Sequence, residues 1–148
     1  LGALRIEKGH IAGGEIDGRT TLNDLGFAKM ASKQKAYVGS VMKDRAGLSD
    51  PDRPRLVGLK PVDRTQRIRP GSVLQPHGKV HEGFGLGHVT STTYSPQLGH
   101  SIALGLVRGG PERIGEVIDA CYPLKDEVTA VEIVSPHFFD PQGKRLHG

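Results

Sequence analysis

The chain has 148 residues, 36% of them hydrophobic and 24% charged, with a net charge of +4; that is material for one domain with a modest core. Its single cysteine, Cys121, excludes an internal disulfide and a cysteine-cluster zinc site. No apolar run approaches the ~18 residues of a membrane-spanning helix, no secretory leader pattern is present, and scattered bases without any tryptophan argue against nucleic acid, so a protein of the reducing cytoplasm, away from membranes, is expected.

With 21 glycines and 10 prolines, far above the ~12% these two make up in ordinary proteins, the chain favours short strands and turns over a helix bundle. Residues 1–8, LGALRIEK, place Leu1, Leu4 and Lys8 on one helical face with Ile6 beside them, and Gly9 is a natural stop. Eight residues without an N-cap are too few for an independent helix. They read as the tail of a longer one, so the chain is expected to be a C-terminal part of something larger. Glycines interrupt residues 11–27, where Thr21 or Asn23 could cap a short turn over 24–27. Tyr37, Val41 and Met42 give 37–45 helical character, and residues 47–54, GLSDPDRP, form the clearest linker.

Beyond it the pattern changes to strands. Six are predicted, over 55–62, 72–76, 86–94, 101–109, 115–123 and 126–135, with 77–83 as a turn-rich connection. In 115–123, Val117, Asp119 and Cys121 share a side. In 126–135 the alternation is cleaner, with Val128, Ala130, Glu132 and Val134 opposite Glu127, Thr129, Val131 and Ile133. Such spacing predicts a mainly β fold: a small antiparallel six-stranded β-barrel or a sandwich, preceded by a short helical and irregular segment.

Chemistry is sparse. His77 and His81 are four residues apart, but Pro76 and Gly78 oppose a helix there, so a loop pair is favoured over a metal site. GFGLGH at 83–88 fails the dinucleotide fingerprint at its last position and reads as a tight connection. Cys121 reads as a buried small hydrophobe. Glu7, at a helix end before a glycine, is either solvated or aimed into a site, and the pattern leaves both open.

Several segments carry a resemblance: LRIEKG at 4–9, GEIDGRTT at 14–21, RLVGLKPV at 55–62, LGHVTSTTYSP at 86–96 and LGHSIALGLV at 98–107. Their order and spacing are similar to the folate-binding module of the glycine-cleavage T-protein (aminomethyltransferase) family. KAYVG at 35–39 and SPHFFDPQGKRLHG at 135–148 resemble the branch of that family formed by alpha subunits of heterotetrameric sarcosine oxidases. The resemblance implies that residues 1–47 end a folate-binding domain and that 54–148 are the family's C-terminal barrel. It implies tetrahydrofolate as cofactor here, bound by Glu7 as pterin acceptor, by Lys35 where T-proteins carry arginine, and by Phe139 where they carry tyrosine. Leu22 replaces the family's proline after the paired threonines, and Lys29 a common tryptophan. No catalytic residue falls on this chain, because the family's aspartate belongs to an earlier part of the module. FAD, FMN and NAD would sit elsewhere in a complex with beta, gamma and delta subunits. That complex would demethylate sarcosine to glycine and pass the one-carbon unit to tetrahydrofolate, giving 5,10-methylenetetrahydrofolate. A related aminomethyltransferase or folate-linked demethylase, and a non-catalytic docking barrel, are the alternatives.

Overall fold

The computed structural model describes residues 1–79 and 85–147. Six strands form the body: β1 (Pro54–Pro61), β2 (Val73–Pro76), β3 (Gly87–Ser95), β4 (His100–Arg108), β5 (Val117–Tyr122) and β6 (Glu127–Val134). They pair antiparallel in the closed order β1-β4-β3-β2-β5-β6. Closure gives every strand a neighbour on both sides and shortens the open edges that six short strands would otherwise expose, although β3, paired along its length with β4, meets β2 only at Val73–His88 and Leu74–Gly87.

The pattern of each strand follows from what covers its two faces. In β6 the predicted alternation holds: Thr129, Val131 and Ile133 are buried while Val128 is exposed. β4 is buried along almost its whole length, because it is covered twice, as a continuous apolar run requires. Ala103 and Val107 join Val57, Leu59, Leu74, Val89, Ile118, Val131 and Ile133 in one core cluster. Ile102, Leu104 and Leu106 belong to a second cluster with Leu56 of β1, Ile6 and Leu25. In β5, Val117, Asp119 and Cys121 do share a face, yet Asp119 and Cys121 are buried. Asp119 is covered by the turn after β2: its carboxylate accepts the Gly78 N–H at 2.8 Å and pairs with His77 Nδ1 at 2.8 Å. His81, and Gly83 and Phe84 of the glycine-rich stretch, lie outside the described residues.

Residues before the barrel wrap its outer face. Helix α1 (Gly2–Glu7) packs on β3 and β4. The face it buries differs from the expected one: Ile6 and Glu7 are 3% and 5% exposed, whereas Leu4 is 64% exposed and Leu1 fully so. A six-residue helix makes little structure of its own; its rotation is set by tertiary partners. Burial of Ile6 in the second cluster contributes about 1.5–3 kcal/mol. The turn at 21–27 forms as expected with Thr21 as its cap: Asp24 N–H donates to Thr21 Oγ1 at 3.2 Å, and Thr21 N–H to Asp24 Oδ2 at 2.9 Å. The helical character expected over 37–45 does not materialise. That stretch is a string of turns with three-residue hydrogen bonds, Gly39 has φ +87°, and Val41 is 87% exposed, so no apolar partner rewards a helix. Helix α2 (Ala46–Ser49) is a single turn, and α3 (Lys144–His147) closes the described chain. Among the described residues no helix is long and apolar enough to cross a membrane.

Candidate functional site

The site is built where the start and end of the chain meet on the barrel. Helix α1 stops at Gly9, which takes φ +74°. Gly9 N–H bonds to Ile6 O and His10 N–H to Arg5 O, at 3.0 and 2.8 Å; these are the two bonds of a glycine-terminated helix end. A side chain there would also meet Pro136 O at 2.6 Å. The stop leaves Glu7 on the last turn, facing β3 and the C-terminal tail.

The tail reaches Glu7 by crossing β1. At Gly58 a Cβ would strike Ser135 O and would come within 2.7 Å of Phe138 Cζ, so glycine is what lets the tail lie flat. Phe138 and Phe139 N–H groups then both donate to Glu7 O at 3.0 Å. Lys8 Nζ bonds Asp140 O at 2.5 Å, and Lys8 O lies 3.0 Å from His137 Nδ1. Between α1 and the tail opens a cleft of about 720 Å3, whose lining includes Leu1, Leu4, Arg5, Glu7, Lys8, Gln97, Phe139 and Arg145.

Glu7 is the polar group of this cleft that is otherwise buried. Its Oε1 accepts the Ser95 hydroxyl at 2.5 Å, and no donor among the described residues reaches Oε2. Phe139 offers a ring face, with the Arg145 guanidinium 4.9 Å above it, a cation–π distance. Arg5, Lys8 and Arg145 put three cations in the lining, of which Lys8 pairs with Asp140, also in the lining, at 3.6 Å and Arg5 with Glu15 at 3.4 Å. The arrangement suits recognition: one carboxylate oxygen for N–H donors, an aromatic surface, and a cation for an anionic end.

Arg5 is held by a second carboxylate. Glu15, 1% exposed, accepts Ala12 N–H (2.7 Å), Thr90 Oγ1 (2.7 Å), Ser91 Oγ (2.5 Å) and Arg5 Nη1 (3.4 Å). Arg5 Nη2 also donates to Ser91 at 2.8 Å. Thr90 and Ser91 lie at the irregularity in the β3–β4 register between Val89 and Ser91, where a bulge turns both hydroxyls towards Glu15. Burial alone would raise the Glu15 carboxyl; the hydrogen bonds of Ser91, Thr90 and Ala12 and the Arg5 charge outweigh it and hold the group below its ordinary value. Asp24 behaves alike: burial opposes, but Arg53, which reaches it through Nε and Nη2, and the Thr21 bonds keep it low.

Of the three residues that the resemblance implies, Glu7 and Phe139 come together in the cleft. Lys35 is exposed in a turn capped by Ser32 Oγ (3.0 Å) and is not part of the lining. Sequence reasoning missed Arg5, Gln97 and Arg145 as lining residues. The LRxEKG motif does carry a signal for Arg5, two positions before Glu7, whereas Gln97 and Arg145 arrive from distant parts of the chain. His77 pairs with Asp119, and no cluster of three or more metal-ligating side chains exists among the described residues.

A closed six-stranded antiparallel barrel, with a helix-borne carboxylate in a cleft on its flank, places the chain in the class of small β-barrel modules. The chain belongs to the family of glycine cleavage T-protein C-terminal barrel domains, whose model matches residues 55–140. It is 46% identical over 149 aligned residues to the sarcosine oxidase subunit alpha of Rhizobium meliloti, covering 99% of this chain and 15% of that protein. It is 29% identical to an aminomethyltransferase of Synechococcus, covering 92% of this chain and 35% of the relative. The crystal structure of the glycine cleavage system aminomethyltransferase T of Bartonella henselae superposes with a TM-score of 0.77 at 27% identity, over 95% of this chain and 38% of that one. The chain thus spans about a seventh of this sarcosine oxidase relative and just over a third of these two aminomethyltransferases.

Proposed function

We propose that this chain is the tetrahydrofolate-facing C-terminal region of a sarcosine oxidase alpha subunit. The observation that carries the proposal is the buried Glu7 carboxylate, which lines a cleft of about 720 Å3 and whose Oε2 has no donor among the described residues. In this reading residues 1–47 end the folate-binding domain and 54–148 are the barrel that closes it. The edge of a pterin presents adjacent N–H donors, and Glu7 Oε2 accepts them. Phe139 covers a flat ring, and Arg145 is the candidate for the carboxylates at the other end of the molecule. Lys35, on its exposed turn, is a further candidate for that anionic end. The resident groups that support the reading are one acceptor, one aromatic face and the Arg145 cation.

Bound tetrahydrofolate supplies the nitrogen that takes up the one-carbon unit. The residues of this chain bind and orient it and keep water from the carboxylate. Sarcosine oxidation would occur at flavin in another part of the complex, with FAD, FMN and NAD and the beta, gamma and delta subunits outside this chain. The likeness to aminomethyltransferases supports a second reading, transfer of an aminomethyl-derived carbon without oxidation. The 46% identity over 99% of the chain to a sarcosine oxidase subunit favours the first.

The test is a tetrahydrofolate titration of the intact protein, wild type against Glu7→Ala. Loss of a charged acceptor predicts about 10- to 150-fold weaker binding, the equivalent of about 1.5–3 kcal/mol. Flavin reduction by sarcosine should be spared, and formaldehyde should replace methylenetetrahydrofolate as product. Equal affinities would remove Glu7 from the site, and a protein that transfers carbon without consuming sarcosine would favour the second reading.

A further inference from the structure

We propose that Ser95 is a positioning residue for the ligand acceptor Glu7; the proposal rests on the reading of the cleft as a folate site. Ser95 is the last residue of β3 and is fully buried. Its Oγ has two partners. It accepts the Leu98 N–H at 3.1 Å and lies 2.5 Å from Glu7 Oε1. A serine hydroxyl carries one proton. Because Leu98 N–H is itself a donor, that proton has one destination, the carboxylate. The turn after β3 therefore fixes the hydroxyl, and the hydroxyl fixes which oxygen of Glu7 is engaged.

Glu7 is held from a second direction as well. The N–H groups of Phe138 and Phe139 converge on its carbonyl, so its main chain is tied to the C-terminal tail while its side chain is tied to β3. A free glutamate is among the side chains with most rotamer freedom to lose. Here the Ser95 bond removes part of that freedom before a ligand arrives, and it leaves Oε2 as the carboxylate oxygen without a donor among the described residues. Preorganisation of this kind raises affinity without any contact between Ser95 and the ligand.

A double-mutant cycle on the intact protein tests this, with tetrahydrofolate titrated under anaerobic conditions into wild type, Ser95→Ala, Glu7→Ala and the double variant. Ser95→Ala is expected to raise Kd roughly 3- to 10-fold, a coupling within the range known for contacting residues. In the Glu7→Ala background, the same substitution should change Kd less than about twofold, since nothing is left to position. A serine that only caps the Leu98 turn would give the same factor in both backgrounds, and that result overturns the proposal. Ser95→Thr, which keeps the hydroxyl, should restore wild-type affinity. If Ser95→Ala fails to fold in thermal unfolding, Ser95→Cys takes its place, a near-isosteric and weaker donor expected to raise Kd in the same direction. Tetrahydrofolate binding that Glu7→Ala weakens and Ser95→Ala leaves unchanged overturns the role of Ser95 alone. No binding by wild type overturns the folate reading and the positioning role together.

Discussion

Replacing Glu15 separates charge from hydrogen bonding in the network beside the cleft. Glu15→Ala removes the acceptor of four donors. Two of them keep other partners: Thr90 Oγ1 still reaches Leu104 O at 3.0 Å and Arg5 Nη1 still reaches His10 O at 3.0 Å. Ala12 N–H and the Ser91 hydroxyl do not, and orphaned buried donors cost about 1–3 kcal/mol each. With the cavity added, the expected loss is about 3–5 kcal/mol, similar to breaking a buried ion pair. Glu15→Gln keeps the volume. Its amide oxygen can take Ala12 N–H while its NH2 donates to Thr90 and Ser91, so charge assistance and the acceptor of the Ser91 proton are lost but no cavity opens, and about 2–3 kcal/mol is expected. The pH dependence follows from the lowered carboxyl. A group whose folded value is depressed contributes stability that is present above its unfolded value, near 4.3, and lost as pH falls through the folded one. The gap between wild type and Glu15→Gln should therefore stay constant from pH 7 to about 5 and shrink below about 4. Asp24 titrates with the same sign but is common to both proteins and cancels. Urea unfolding of the pair at pH 7, 5 and 3.5 is the assay. A glutamine variant as unstable as the alanine one, or a gap independent of pH, would refute the reasoning.

Gly9→Ala should lower unfolding stability by more than the ~1 kcal/mol of an ordinary left-handed alanine, because positive φ and contact with Pro136 O act together; an unchanged melting temperature would contradict this. Arg53→Lys should cost about 1.5–3 kcal/mol in urea unfolding, since a single ammonium cannot replace the fork that grips Asp24 while bonding Gly47 O at 2.9 Å. The Cys121 thiol is pushed up, first by burial and then by the Asp119 charge. It should resist alkylation at pH 8 in the native protein and react in denaturant, as mass spectrometry would read.

The strands were legible because their signal is local. β1, β4 and β6 fall within a residue or so of the sequence expectation, since period-two alternation or a continuous apolar run is printed in the strand itself. The order β1-β4-β3-β2-β5-β6 was not legible, because no segment states which distant strand it pairs with. The facing of α1 was misjudged for the same reason. Leu1 and Leu4 dominate its composition, yet Ser95, Phe138 and Phe139 decide its rotation, and they lie 88 or more residues away. The segment 37–45 shows the converse: helical spacing without a surface to pack on does not make a helix. At the site, Glu7 and Phe139 came from the family resemblance, and the pattern alone left Glu7 undecided. Glu15 gave no sign in the sequence, because its burial depends on hydroxyls at a bulge some 75 residues later.

Closure of the barrel also limits how this region can take part in a larger assembly. Addition of a strand from another chain requires an unpaired row of N–H and C=O groups, and closure leaves such rows only in part: β3 meets β2 at just Val73–His88 and Leu74–Gly87. A subunit that docks elsewhere on the barrel must recognise side chains and turns. Such contacts can be retuned one substitution at a time without disturbing the ladder, so the barrel can change partners over evolution while its hydrogen-bonded frame stays fixed.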